Sequence, residues 1–293
     1  MARIARLMYY PVKGCAGTSV PVAEVGPAGL AHDRVFQVVA PDGDFRSQRR
    51  YPILASVRPR VDGGKLEFAA PGVEDLVVDI RRDGPRHPGS TFSWHGTGIH
   101  QGEEAARWFS DLLGLPSVLI GVAPDHERVT GGETPGTAAF ADGHALLVAS
   151  ESSLDGLNAR ILERGAEPVP MDRFRPNIII SGWTEPHTED EVRAMSAGTA
   201  KFGYAKQCVR CTVPMVDQDT GEKAGPEPIR TLAGYRRHPD GGVIFGMKAA
   251  VLRPGQVAVG DEVIVHSWAG PRPSTAAAEP PLTATASRPA ESV

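Results

Sequence analysis

Strong turn signals cut the first hundred residues into short apolar runs, and this limits the possible fold more than any other feature. R-I-A-R-L-M-Y-Y-P-V, R-V-F-Q-V-V-A and K-L-E-F-A-A alternate or cluster β-branched and aromatic residues. P-D-G-D at 41–44 and D-G-G-K at 62–65 break them. E-D-L-V-V-D-I at 74–80 and S-T-F-S-W-H-G at 90–96 continue the series. Strands this short and this closely spaced predict a barrel or sandwich rather than a parallel sheet. The expected class is mainly β (α+β), with few helices.

A chain of 293 residues, 41% hydrophobic, has enough apolar side chain for one large or two ordinary domains. Its 31 basic and 35 acidic residues give a formal charge of -4, which calls for neither nucleic acid nor an anionic membrane. No run approaches the roughly 20 apolar residues of a membrane helix. The opening M-A-R-I-A-R-L-M-Y-Y has no uninterrupted apolar core followed by a cleavage site. Three cysteines are too few for a disulfide framework, and the odd count leaves a free thiol. The expectation is a soluble, cytoplasmic protein. Arg far outnumbers Lys; a genome-wide Arg bias and an Arg-lined anion site both account for that.

In G-E-E-A-A-R-W-F-S-D-L-L-G-L, apolar Ala105, Trp108, Phe109 and Leu112 recur at helical spacing, acidic residues open the run and Gly114 can close it. The Gly/Thr-rich stretch 129–143 reads as a flexible loop near a ligand. A-L-L-V-A then runs into S-E-S-S-L-D-G, a strand entering a helix with Ser150, Ser152 or Ser153 at its cap. Hydroxyls and free N–H groups at such a start form either a phosphate seat or an ordinary serine cap. After Trp268 the chain turns Pro/Ala/Ser/Thr-rich, and residues 269–293 are expected to be a disordered tail.

Two of the three cysteines stand in K-Q-C-V-R-C-T-V-P-M-V-D-Q-D-T-G, 206–221. A structural zinc needs four ligands, and C-x-x-C supplies two, with no suitably spaced His pair downstream. A thioredoxin-like dithiol precedes a helix, and T-V-P-M-V starts one poorly. A single thiolate ligand to a soft or high-valent metal remains. Arg210 and Lys206 nearby favour the thiolate form.

M-D-R-F-R-P-N-I-I-I-S-G, the C-V-R-C…D-Q-D-T-G segment, V-I-F-G-M and P-G-Q-V-A-V-G-D-E-V together resemble the molybdenum cofactor sulfurase C-terminal domain, MOSC. Y-Y-P-V-K-G-C-A-G, G-L-A-H-D-R-V-F and F-R-S-Q-R-R-Y-P-I-L-A resemble the β-barrel domain that precedes it. The order and spacing, over about residues 1–265, are similar to those of the amidoxime-reducing component family and its bacterial relatives. The resemblance implies an N-terminal β-barrel-like domain at 1–100 and a MOSC β-barrel domain with a few peripheral helices at 101–268. It implies a molybdenum cofactor, Mo-molybdopterin, with Cys211 as the metal's protein ligand and Cys208 auxiliary or buried. Arg175 and Asn177 match positions that contact the pterin. Lys13 matches a cofactor-binding lysine, although Gly14 replaces the serine that follows it in the family. Arg34 and Arg49 match basic positions that reach the cofactor phosphate, and Ser150 and Ser153 match a hydroxyl-rich helix start. Arg210 is placed with the cofactor-binding residues, Asp217 and Asp219 with the shaping of a turn, and Cys15 with the buried apolar side chains.

The implied activity is two-electron removal of oxygen from N-hydroxylated compounds such as amidoximes and hydroxylamines, catalysed by a molybdenum-dependent reductase. Some bacterial relatives carry a fused iron–sulfur domain. The tail here has no cysteine, so a separate electron donor is expected: a ferredoxin, flavoprotein or cytochrome b5-like protein. The substrate is a small molecule, and pyridoxal phosphate is not expected. Sulfur transfer through a cysteine persulfide and non-enzymatic carriage of the cofactor are the alternatives.

Overall fold

The computed structural model describes residues 1–92 and 94–270, so the expected tail lies outside the described residues from 271 onward. The mainly β class holds. The largest sheet has eight strands, in the order Ile264–Trp268, Val192–Ala197, Ala200–Arg210, Val243–Arg253, Leu146–Ser150, Ile178–Ser181, Arg3–Tyr9 and Thr18–Val20. Its neighbours are antiparallel except Leu146–Ser150 beside Ile178–Ser181. That parallel pair needs a crossover, which helix α2 (Glu151–Glu163) supplies. A five-stranded sheet joins Arg86–Thr91, Trp94–His100, Val118–Gly121, Phe36–Val39 and Val12–Lys13. Among the described residues no sheet closes on itself into a barrel, and no helix is long and apolar enough to cross a membrane.

The first strand belongs to the sheet built from the second half of the chain. Arg3–Tyr9 pairs with Ile178–Ser181, burying Ile4 and Leu7 in the large core with Met195, Phe202 and Met247. Three residues later, Val12–Lys13 pairs with Phe36–Val39 in the other sheet. Tyr9 to Lys13 therefore steps from one sheet to the next, with Tyr9 in the large core, Val12 in the core beside the second sheet, and Tyr10 packed in a third cluster.

Helix α1 (Glu103–Leu113) follows the predicted pattern. Ala105, Trp108 and Phe109 are buried against Phe68 and Leu119, and Gly114 ends the helix at φ 68°. Strand Val243–Arg253 contains Gly246 at φ 76°, where an added Cβ would lie 2.7 Å from the carbonyl oxygen of Val148. Only glycine combines that backbone angle with that approach.

The start of α2 differs from the anion seat implied for Ser150 and Ser153. Ser150 caps the helix by accepting from the N–H of Ser153. Both hydroxyls donate to the buried carboxylate of Glu189, at 2.8 Å each. The chain's own carboxylate fills the place an external phosphate would take, because it reaches the positive end of the helix from the adjoining 3-10 turn Thr188–Glu191. Next to it, the His187 ring packs against Tyr235 and Phe245. Burial, then the nearby Arg236 and Arg160, push this imidazole down to about 4.

Two outcomes are expected. Gly246→Ala should destabilise the fold by about 2 kcal/mol and lower Tm by roughly 4–8 °C, read by calorimetry. The folded chain holds His187 neutral while an unfolded one titrates near 6.5. This contribution is therefore complete above about pH 6.5 and is lost as pH falls toward 4. Urea unfolding midpoints between pH 7 and 4 should fall less steeply in His187→Asn than in the unsubstituted protein.

Candidate functional site

A cleft of about 720 Å³ opens beside the sheet-to-sheet step and is lined by both halves of the chain. Lys13, Arg34 and Arg49 line it from the first half; Arg175, Lys206, Arg210 and Lys248 line it from the second. Against these seven cations stand two lining carboxylates, Asp142 and Asp240. Cys208 and Cys211 share the wall. So much uncompensated positive charge in a concave site favours an anionic occupant.

Tyr10 organises one end. The guanidinium of Arg34 lies 4.2 Å from its ring centroid and that of Arg175 lies 4.4 Å away. Burial pushes the phenol up to about 12 against these cations, so the ring stays neutral. Arg34 Nη1 donates to buried Asp33 at 2.7 Å and to Asn177 Oδ1 at 2.9 Å. Arg175 Nη2 donates to the Cys15 carbonyl at 2.5 Å, and Nη1 donates to Gln218 Oε1 at 3.1 Å. Arg175 closes the 3-10 turn Met171–Phe174 in the left-handed region, φ 58° and ψ 46°, directly before Pro176. A residue before proline ordinarily extends. Strain of this kind persists where surrounding contacts hold it, and it aims the Arg175 side chain.

Asn177 lines the cleft, but its amide is taken up by structure. Nδ2 donates to the Met8 carbonyl, while Oδ1 accepts from the Leu147 N–H and from Arg34. It acts on the site by holding Arg34. Lys13 is 4% exposed; its Nζ donates to the Phe140 carbonyl at 2.7 Å, pairs with Asp142, and lies 4.8 Å from the Phe45 ring centroid. Burial pushes its ammonium down to about 8, against the opposing pull of Asp142. Burial would raise Asp142, yet Lys13 outweighs it and holds that carboxyl at about 2. Arg49 is exposed on the cleft wall.

The cysteine stretch lies at a strand end. Ala200–Arg210 stops before Cys211, and a 3-10 turn at Val213–Met215 follows, with the rigid Pro214 as its second residue. Cys211 is exposed there, while Cys208 is buried. Arg210 was expected to bias Cys211, but its Nη1 contacts Cys208 Sγ at 3.1 Å and its Nη2 donates to the Phe174 carbonyl at 2.8 Å. Residues two apart on a strand share a face, which brings Arg210 to Cys208. Cys15 is fully buried, and its thiol is pushed up to about 12 by burial. The D-Q-D-T-G loop is a turn, as read from sequence: Asp217 Oδ1 accepts from the N–H groups of Asp219 and Thr220. It also clasps the two halves, because Gln218 bonds Gln48 and Asp219 pairs with Arg58.

The sequence-predicted residues Lys13, Arg34, Arg49, Arg175, Asn177, Arg210 and Cys211 meet in this cleft; Ser150 and Ser153 do not line it. Sequence reading missed Tyr10, Asp33, Asp142 and Gln218. Each stands inside or beside a quoted motif, but nothing in its spacing reveals which side chain it will touch.

The description of the MOSC N-terminal beta barrel domain matches residues 1–116, and that of the MOSC domain matches residues 135–264. The chain is 32% identical over 285 residues to mitochondrial amidoxime-reducing component 1 of Mus musculus, covering 89% of this chain and 81% of that protein. The human protein of the same name is 29% identical over 89% of this chain and 82% of its own length. Molybdenum cofactor sulfurase of Oryza sativa subsp. japonica is 29% identical over 82% of this chain, which spans only 31% of that longer protein. With both domains matched in order and this likeness running through most of its length, the chain belongs to the MOSC family, among the two-part members that include the mitochondrial amidoxime-reducing components.

Proposed function

We propose that this chain is a molybdenum-cofactor-dependent oxidoreductase that takes oxygen from N-hydroxylated compounds, amidoximes and hydroxylamines, using electrons from a separate carrier. The observation that carries this reading is the exposed thiol of Cys211 on the wall of a cleft crowded with cations. Among the described residues no three His, Cys, Asp or Glu side chains gather as a metal site. A metal held at Cys211 must bring its remaining ligands with it, and the excess of Lys and Arg suits an anionic chelate bearing a phosphate. The residues present fit such a group.

Cys211 would hold the metal through sulfur. Arg34, Arg175, Arg49 and Lys13 would hold the anionic part, the first two pre-aimed by Tyr10, Asp33 and Gln218. Phe45, Phe92 and Val213 give the cleft apolar wall that limits water. Once bound, the cofactor supplies the two-electron chemistry; the chain binds and orients. The overall change consumes two electrons and two protons, breaks the N–O bond and releases water with the amine or amidine. Relatives named amidoxime-reducing component support this reading.

Sulfur transfer is the second reading, favoured by two cysteines on one cleft wall and by likeness to proteins named molybdenum cofactor sulfurase. Protein from a cofactor-competent host separates the two. About one molybdenum per chain with benzamidoxime reduction supports the reductase; a persulfide on Cys208 or Cys211 without metal supports sulfur transfer.

Cys211→Ser should fold, keep its pterin and lose more than about 100-fold in kcat, beyond the 10–100-fold typical of changes around a metal's ligands. Undiminished turnover would remove Cys211 from its role. With electrons drawn from a separate carrier, benzamidoxime reduction should be absent with NADH alone and appear when a ferredoxin, flavoprotein or cytochrome b5-like couple is added; turnover without any carrier contradicts the proposed electron route.

A further inference from the structure

The cleft holds a second group of cations, apart from those gathered at Tyr10. Lys206 and Lys248 are paired residues on the neighbouring strands Ala200–Arg210 and Val243–Arg253, and both line the cleft. Cross-strand partners stand roughly 4.5–5.5 Å apart with their side chains on one face, and like charges so placed repel. The register shifts between Tyr204 and Lys206, a bulge of the kind that re-aims a side chain. The N–H of Glu133 bonds the carbonyl of Ala205 at 2.8 Å and fixes the bulge.

Neither ammonium has a carboxylate ion-pair partner among the described residues. Lys248 Nζ donates to the backbone oxygen of Asp142. Lys206 is exposed and has no side-chain hydrogen bond among the described residues. Beside them His144, 5% exposed, also lines the cleft. Its Nε2 donates to the Gly131 carbonyl at 2.7 Å, which leaves Nδ1 as a buried acceptor with no partner. Burial, together with Lys248 and Lys206, holds this ring below its ordinary titration range, so it adds an acceptor and no charge. Lys248 acts on the Asp142 carboxylate, but Lys13 already pairs that group, so two adjacent cations stand in excess of carboxylate beside one unmatched acceptor. Neither lysine is among the groups assigned to the cofactor, Arg34, Arg175, Arg49 and Lys13, which leaves the pair for the substrate.

We propose that Lys206 and Lys248 form a substrate-selecting anion site: the preferred N-hydroxylated substrate carries a carboxylate or phosphate that the two ammonium groups bind. This deepens the reductase reading and rests on it.

Holoprotein would be titrated calorimetrically with benzamidoxime, its 4-carboxylate and its 4-phosphate ester. The expected result is that an anionic probe binds roughly tenfold or more tightly than the neutral one, an advantage that shrinks in about 0.5 M salt. The stronger of the two identifies the anion. In Lys206→Met/Lys248→Met the advantage should fall below about twofold; the exposed single change Lys206→Met, which spares the fold, should remove about half of it on a logarithmic scale. Equal binding of all three probes overturns the proposal, as does an advantage that survives both substitutions. So does loss of molybdenum from the double variant, since the lysines would then hold the cofactor. Turnover of the same probes is scored separately. An anionic probe that binds through the lysines but is never reduced leaves the anion site standing and removes the reductase reading.

Discussion

Two guanidinium groups share one phenol ring in this protein, and the candidate site depends on that arrangement. Arg34 and Arg175 come from opposite halves of the chain and would repel each other in water. Tyr10 holds both, at 4.2 and 4.4 Å from its centroid. A desolvated cation–π contact contributes about 2 kcal/mol, but two like charges also need a counter-charge and fixed donors. Buried Asp33 supplies the charge; Asn177, Gln218 and the carbonyls of Cys15 and Arg175 accept further N–H groups. Each arginine is thereby held before any ligand arrives, which lowers the ordering cost that binding would otherwise carry.

Tyr10 can do this because of where the chain steps between sheets. The opening strand is captured by Ile178–Ser181, and Val12–Lys13 is captured by Phe36–Val39. Tyr10 lies between these fixed ends, and its hydroxyl donates to the Pro176 carbonyl at 3.1 Å. The D-Q-D-T-G loop closes the far side through Gln48 and Arg58. The cleft is consequently a product of how the two cores are joined, and Cys211 stands at the free end of a strand that reaches it. The wall beyond is differently charged: Asp142 is paired by Lys13, while Lys248 shares only that same carboxylate and Lys206 has no ion pair among the described residues.

Much of the site was readable only through the family resemblance of its motifs. R-F-R-P-N and C-V-R-C gave Arg175, Asn177 and Cys211, and all three reach the cleft. The readings that changed share one cause. Ser150 and Ser153 do sit at a helix start, but Glu189 lies 36 positions beyond Ser153 and takes their hydroxyls. Arg210 is adjacent to Cys211 in sequence, yet strand geometry gives its guanidinium to Cys208. A helix cap or a pair of neighbours is a local fact; the group that satisfies it is a distant one.

The sequence by itself determined the strand-rich class, helix α1 with its buried Ala105, Trp108 and Phe109, and the turn at Asp217–Gly221. Periodicity, glycine and Asx chemistry act within a few residues, so these features need no knowledge of the rest of the chain. Tertiary structure alone decided that the first strand would join the second half's sheet, that Tyr10 would lie under two arginines, and that Lys206 would face Lys248 across a bulge. These are pairings between residues tens to hundreds of positions apart, selected by which apolar faces bury together, and no local pattern encodes the partner.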